Sequence, residues 1–217
     1  MATGVYHEDN AMEQAADLYN RHREEGGKNG NYIETIKGTK FYFEAPEFDA
    51  EVIAYATSMQ CRFTGHTMQF YSVAQHMCLV AYIMQQVGLG NPFEGLLHDA
   101  QEAYLSDVNA PAKSYIPDYR ALEARIEAPL RQWAGLPGDV VTEGCKRADW
   151  LALFIEAHYL LPTKGTDWLA PPGVKEQAAE LIATGLYEIV GWAPAHACKA
   201  WLAAYKRFQK PAANAAA

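Results

Sequence analysis

Four side chains in this sequence pair metal-ligating chemistry with apolar surroundings. They are His76 in "FYSVAQHM", His98 and Asp99 in "GLLHDAQEAYLSDV", and Asp149 in "KRADWLAL". Each sits among Leu, Val, Ala or Trp, where an unpaired charge is costly unless it is paired or binds a metal. A divalent ion draws its ligands from several elements that converge in space. Two imidazoles with two carboxylates suit zinc, cobalt, manganese or iron better than calcium. Singly, each residue fits an ordinary structural role. A lone histidine on a helix face is commonly a hydrogen-bonded core residue, and Asp149 has Lys146 and Arg147 beside it as partners. The joint pattern, with each part on its own apolar helix, points to a metal centre.

The elements that must position these groups are helical from Asp49 onward. Asp49 is placed to cap a helix that runs to about Met59. Ser72 caps the next, with Val73, His76, Val80, Ile83 and Val87 on one face and Gly88 closing it. Pro92 opens a segment that continues past His98 to Tyr104. "DVNAPAKSYIP" reads as a loop, and 118–133 as a charged amphipathic helix. A long apolar helix over 140–161 carries Asp149, and helices near 174–190 and 195–208 finish the chain. The aromatic stretch at 39–44 is the one strand candidate, a short hairpin, and residues 11–25 have weak helical periodicity. The reading is all-α, one bundle of about seven helices over 49–210 with a short N-terminal hairpin. Residues 1–48 form an N-terminal extension packing on that domain, and 211–217 a disordered tail.

The chain has 217 residues and a formal net charge of −8. That charge argues against nucleic acid as a partner, which needs a basic face, but allows a small phosphorylated ligand. Cys61, Cys78, Cys145 and Cys198 are widely spaced and form no C-x-x-C pair, as expected of reduced thiols. No signal peptide is visible and no segment has the apolar length of a membrane span. The expectation is a cytoplasmic protein with no membrane partner, or one of a host cytoplasm if phage-encoded. Abundant Trp and Tyr lead to the expectation of a homo-oligomer.

On the three quoted motifs, the sequence resembles the HD-domain metal-dependent phosphohydrolases over roughly residues 55–161. Within that family it is most similar to the small 5′-deoxynucleotidases and to the phage dATP triphosphohydrolases found beside 2-aminoadenine DNA synthesis. The resemblance implies that His76, His98, Asp99 and Asp149 hold a divalent ion: zinc, cobalt, manganese or magnesium. It implies catalytic roles for Glu102, near the attacking water, and for Asp107, near the sugar and scissile bond. Arg62 and Lys113 match phosphate-contacting cations. Phe63 stands where the deoxynucleotidases carry a Trp that helps exclude a ribose 2′-hydroxyl, so an aromatic wall is kept while strict deoxy selectivity is not carried over. His66 reads as a loop residue.

The implied reaction is hydrolysis of the bond between the α-phosphorus and O5′ of a deoxynucleotide. It would convert dATP, dADP or dAMP to deoxyadenosine and the corresponding phosphate. Other readings are a 5′-deoxynucleotidase of broad base range, a signalling phosphodiesterase, and a metal-binding interaction protein without turnover. The phosphodiesterase branch carries Gly-Tyr-Pro after its His-Asp pair, which this sequence lacks. A purely structural ion would have little use for the extra carboxylates Glu102 and Asp107.

Overall fold

The computed structural model describes residues 32–209, in two compact units that divide between Ala45 and Pro46. The expected boundary lay three residues later. The helix expected at 11–25 and the tail at 211–217 lie outside the described residues. In the first unit, β1 (Ile33–Glu34) and β2 (Lys40–Phe41) form an antiparallel hairpin that pairs Ile33 with Phe41 and Glu34 with Lys40. Gly38 takes φ 71° in the turn, a conformation that glycine adopts without steric cost. The Lys40 ammonium lies 4.3 Å from the centre of the Tyr32 ring. This is the short hairpin read from the sequence, and its first strand precedes the 39–44 stretch.

The second unit is helical, as expected of an all-α protein. Its segments are α1 (Ala50–Met59), α2 (Val73–Val87), α3 (Pro92–Leu97), α4 (Glu102–Leu105), α5 (Ala110–Lys113), α6 (Pro117–Trp133), α7 (Glu143–Leu160), α8 (Val174–Ala183) and α9 (Pro194–Phe208). Local chemistry sets the ends of the principal helices. The Asp49 carboxylate accepts from the Glu51 and Val52 amides, Ser72 from Gln75, Asn91 from Phe93, and Thr142 from Cys145. Each satisfies amides that an uncapped helix leaves open. Gly88 ends α2 in the left-handed conformation, with its amide bonded to the Met84 carbonyl.

Three expectations differ from the structure. The helix from Pro92 does not run through to Tyr104: α3 ends at Leu97, and residues 98–101 form turns before the single turn of α4. The "DVNAPAKSYIP" loop contains the one-turn helix α5, because Asn109 caps the Ala112 amide and Pro111 sits in the first turn, where its missing N–H costs nothing. Finally, α8 stops at Ala183, well short of 190. Beyond it, two buried glutamine contacts replace helical bonding. Gln69 joins the Ile189 carbonyl and the Gly191 amide, and Gln75 joins the Val190 carbonyl and the Trp192 amide.

The core lies between α2 and α7. Val80, Ile83 and Met84 of α2 pack with Leu151, Ala152 and Ile155 of α7, and Val174 and Ala178 of α8 join them. Burying each larger aliphatic side chain contributes about 1.5–3 kcal/mol. Trp201 of α9 is fully buried and donates its indole N–H to the Leu96 carbonyl, fixing the end of α3. A buried ion pair ties three elements together. Glu94 of α3 pairs with Arg131 of α6 at 2.8 Å and accepts both the Thr142 amide and hydroxyl at the start of α7. Arg131 spends its remaining donors on the Pro137 and Gly138 carbonyls, so the pair is well satisfied.

Gly95 lets α3 approach α2 closely. A Cβ there would meet the Met84 sulfur at 2.7 Å and the Ala81 backbone at 3.1 Å. The Gly95→Ala variant is expected to lose about 1–3 kcal/mol from overpacking. At about 2–4 °C per kcal/mol for a chain of this size, that is a fall in Tm of several degrees. Thermal unfolding followed by circular dichroism checks it, and an unchanged Tm would contradict the close contact.

Candidate metal centre

His76 projects from the buried face of α2 and is fully buried. Its Nδ1 lies 2.5 Å from Glu156 Oε1, and its Nε2 lies 3.2 Å from the Nε2 of His98. The His98 Nδ1 is in turn 2.8 Å from the Gly95 carbonyl. A carbonyl only accepts, so His98 Nδ1 carries the proton and its Nε2 is left with a lone pair. Both rings thus commit one nitrogen to the protein and turn the other toward the same point.

Two carboxylates complete the cluster. Asp99 Oδ2 stands 3.4 Å from His76 Nε2 and 3.3 Å from His98 Nε2. Asp149 Oδ1 stands 3.2 Å and 3.8 Å from the same two atoms. Metal bonds of ~2.1 Å in a tetrahedron give a ligand–ligand edge of about 3.4 Å. His76, His98 and Asp99 each bring a donor atom within 4.8 Å of the others, a group that could hold a divalent ion, and Asp149 Oδ1 lies against the two imidazoles. The donors come from α2, from the turn after α3, and from α7, and the structure brings all four sequence-predicted ligands together. Neither Lys146 nor Arg147 takes Asp149: Lys146 pairs with Glu143 at 2.7 Å, and Arg147 donates to Gln177 at 3.0 and 2.6 Å.

Charge within the cluster is strongly coupled. Burial raises the Asp99 and Asp149 pKa values, but the two imidazoles outweigh it and hold both carboxyls below the usual carboxylate range. Burial pulls the His76 pKa down and Arg62 does the same, while Glu156, Asp149 and Asp99 together carry it well above the ordinary imidazole value.

Arg62 opens the short turn Arg62–Gly65 and points inward. Its Nη1 is 3.5 Å from Asp99 Oδ2 and its Nε 3.3 Å from Glu156 Oε2. The turn is unusual, since Phe63 and Thr64 both take φ 54° and Gly65 takes 78°. Successive left-handed residues other than glycine cost roughly 1–2 kcal/mol each. The Asn109 amide supports the turn by donating to the Thr64 hydroxyl at 2.9 Å.

Glu102 begins α4 and is almost wholly buried, and its Oε2 has no hydrogen-bond partner. Burial raises its pKa well above the carboxylate range, and Asp99 and Asp107 push in the same direction. Asp107 follows Ser106, whose backbone (φ 69°, ψ 156°) lies in a region that only glycine enters freely. Burial raises the Asp107 pKa too, against the pull of Arg62. Lys113 pairs with Glu123 at 2.7 Å and stands 4.0 Å from Glu102. His66 is exposed on the loop.

Beside the cluster is a cavity of about 580 Å³, with Arg62, Asp107 and Asn109 on one side and Phe63, Trp150 and Trp168 among its apolar walls. Phe63 and Trp168 are stacked at 6.3 Å between ring centres. Glu156 is the site residue that the sequence motifs do not single out. Its signal is spacing: it lies seven residues beyond Asp149, two helical turns along the same face, in an otherwise apolar run. Among the described residues, no helix is long and apolar enough to cross a membrane, and the four cysteines are free.

An all-α protein with a His-His-Asp-Asp cluster beside an aromatic cavity is thus the class defined by fold and site. No family model matches the chain. It is 37% identical to the uncharacterized protein YfdR of Escherichia coli K12 over 170 residues, which cover 77% of this chain and 89% of YfdR. The chain belongs to the YfdR family. It is also 31% identical over 124 residues to an uncharacterized protein of Rhodobacter capsulatus, covering 52% of this chain and 63% of that one.

The His98→Ala and Asp149→Ala variants are each expected to take up less zinc or cobalt than the native chain. Elemental analysis after equilibration with zinc or cobalt measures this, and a full equivalent retained by either variant would remove that residue from the ligand set.

Proposed function

We propose that this protein is a metal-dependent phosphohydrolase of the HD-domain type. Its proposed reaction is hydrolysis of the O5′–Pα bond of deoxynucleotides, with dATP and its lower phosphates favoured. The observation that carries the reading is the convergence of four ligand atoms from three separate elements, with two further carboxylates and an arginine beside them. A divalent ion held by His76, His98, Asp99 and Asp149 would supply Lewis acidity, lowering the pKa of water toward neutrality and polarising a phosphoryl oxygen.

The remaining chemistry falls to side chains of the chain itself. Phosphoryl transfer asks mainly for positioning and charge stabilisation. Arg62 lines the cavity and meets a phosphate oxygen, while its contacts to Asp99 and Glu156 hold the guanidinium in place. Glu102, buried against the cluster with an unpartnered oxygen, orients the attacking water. Asp107 faces the cavity, where the nucleoside leaves, and is placed to hand a proton to the departing O5′. Water oxygen bonds to phosphorus as the P–O5′ bond breaks, O5′ departs with the Asp107 proton, and the proton shed by the attacking water passes to solvent, from which Asp107 is reprotonated. The aromatic cavity walls offer a surface for the base and sugar, in keeping with the preference for a nucleotide over a bare phosphate ester. The deoxyadenosine preference itself rests on the resemblance to the phage enzymes.

A panel of ribo- and deoxynucleoside mono- and triphosphates, assayed with cobalt or zinc and resolved by chromatography, tests the reading. Release of deoxyadenosine is expected, and no hydrolysis of any member would sink it. The role of Asp107 has its own signature. A raised pKa means that the acid form survives to higher pH, so nucleotide turnover falls as pH rises through that value. The Asp107→Asn variant should lose about 10²–10⁴-fold on nucleotides. It should lose far less on p-nitrophenyl phosphate, whose leaving group needs no proton. Equal losses on both substrates would remove Asp107 as the proton donor.

A further inference from the structure

Glu156 lies fully buried on α7 between two groups with different tasks. One oxygen meets the Nδ1 of the proposed ligand His76 at 2.5 Å, and the other faces the Nε of Arg62 at 3.3 Å. A lone carboxylate in this position would be costly, and a charged partner on each side offsets that cost. His98, the other imidazole, is held differently, by the uncharged carbonyl of Gly95. The two rings therefore receive unequal support.

We propose that Glu156 is a positioning residue that couples the two halves of the site. It keeps His76 with Nδ1 protonated and Nε2 turned to the cluster, and it sets the Arg62 guanidinium so that its free N–H groups reach the cavity. This rests on the metal-dependent reading above. A carboxylate behind a ligating imidazole fixes the ring and strengthens it as a donor, and losing such a partner typically costs 10–100-fold in metal affinity. Glutamine at 156 has nearly the same shape. Its amide oxygen still accepts from Nδ1–H, but without charge, and its amide nitrogen sets a donor against the Arg62 N–H.

The test uses the full chain, titrated with Co²⁺ against a competing chelator and followed by visible absorption. E156Q is expected to bind Co²⁺ about 10–100-fold more weakly than the native chain, with an unchanged circular dichroism spectrum. At saturating Co²⁺ it should also bind inorganic phosphate more weakly, as measured by calorimetry. Equal Co²⁺ affinity in the two proteins overturns the role at His76, and equal phosphate affinity overturns the role at Arg62. A native chain that binds no Co²⁺ overturns the proposed function together with this inference, whereas native binding matched by E156Q overturns the inference alone. If E156Q does not fold, ring-nitrogen NMR of the zinc-loaded native chain decides: a proton on His76 Nδ1 upholds the role, and a bare Nδ1 overturns it.

Discussion

Two imidazole nitrogens with an oxygen of Asp99 and an oxygen of Asp149 3.2–3.8 Å from them are the constraint on which the rest of this structure depends. Desolvated charges at that spacing are tolerable only while each has its counterpart, so small displacements are expensive. Three features resist displacement. Gly95 sets α3 against the backbone of α2, so His98 follows the helix that bears His76. The Glu94–Arg131–Thr142 network holds the start of α7, from which Asp149 projects two turns further on. Glu156, one oxygen on His76 and the other facing Arg62, locks α7 to α2 and to the turn after α1. Apolar packing brings the helices together, and these polar contacts settle their register.

The site has an inner and an outer face of opposite character. Toward the core lie buried carboxylates and imidazoles in mutual contact, and toward solvent lies a cavity walled by Phe63, Trp150, Trp168 and Leu153. Asp149 belongs to both, with an oxygen in the cluster and a side chain 44% exposed. The left-handed turn at Phe63 and Thr64 stands at this border. It sends Arg62 inward and Phe63 to the cavity wall from adjacent positions.

Much of this is legible in the sequence where the signal is local. Asp49, Ser72, Pro92 and Gly88 mark helix ends because each satisfies or ends the backbone hydrogen bonding on its own, and all four stand where the helices begin or stop. The residues of the cluster are legible because a charged group in an apolar run is costly to bury without a partner or an ion. What escapes is set at long range. The break after Leu97 is dictated by the docking of His98 and Asp99, not by any breaker residue. The end of α8 at Ala183 has a local mark that the expectation of a helix to 190 passes over, Gly185 at φ 70°, and the chain beyond it is held by Gln69 and Gln75, more than a hundred residues earlier. Glu94 and Arg131 carry no sequence mark of the buried pair they form, and Glu156 is marked only by its place in an apolar run two turns beyond Asp149.

Ser106 stands in a backbone conformation that glycine would occupy freely, one residue before the carboxylate that faces the cavity. Holding it there costs about 1–3 kcal/mol, a substantial part of the stability typical of a domain this size. A chain optimised for persistence alone would relax that bond with glycine and let the carboxylate wander. Keeping a side chain here exchanges robustness for aim, so the margin against heat and the sharpness of the pocket are set against each other at one pair of torsion angles.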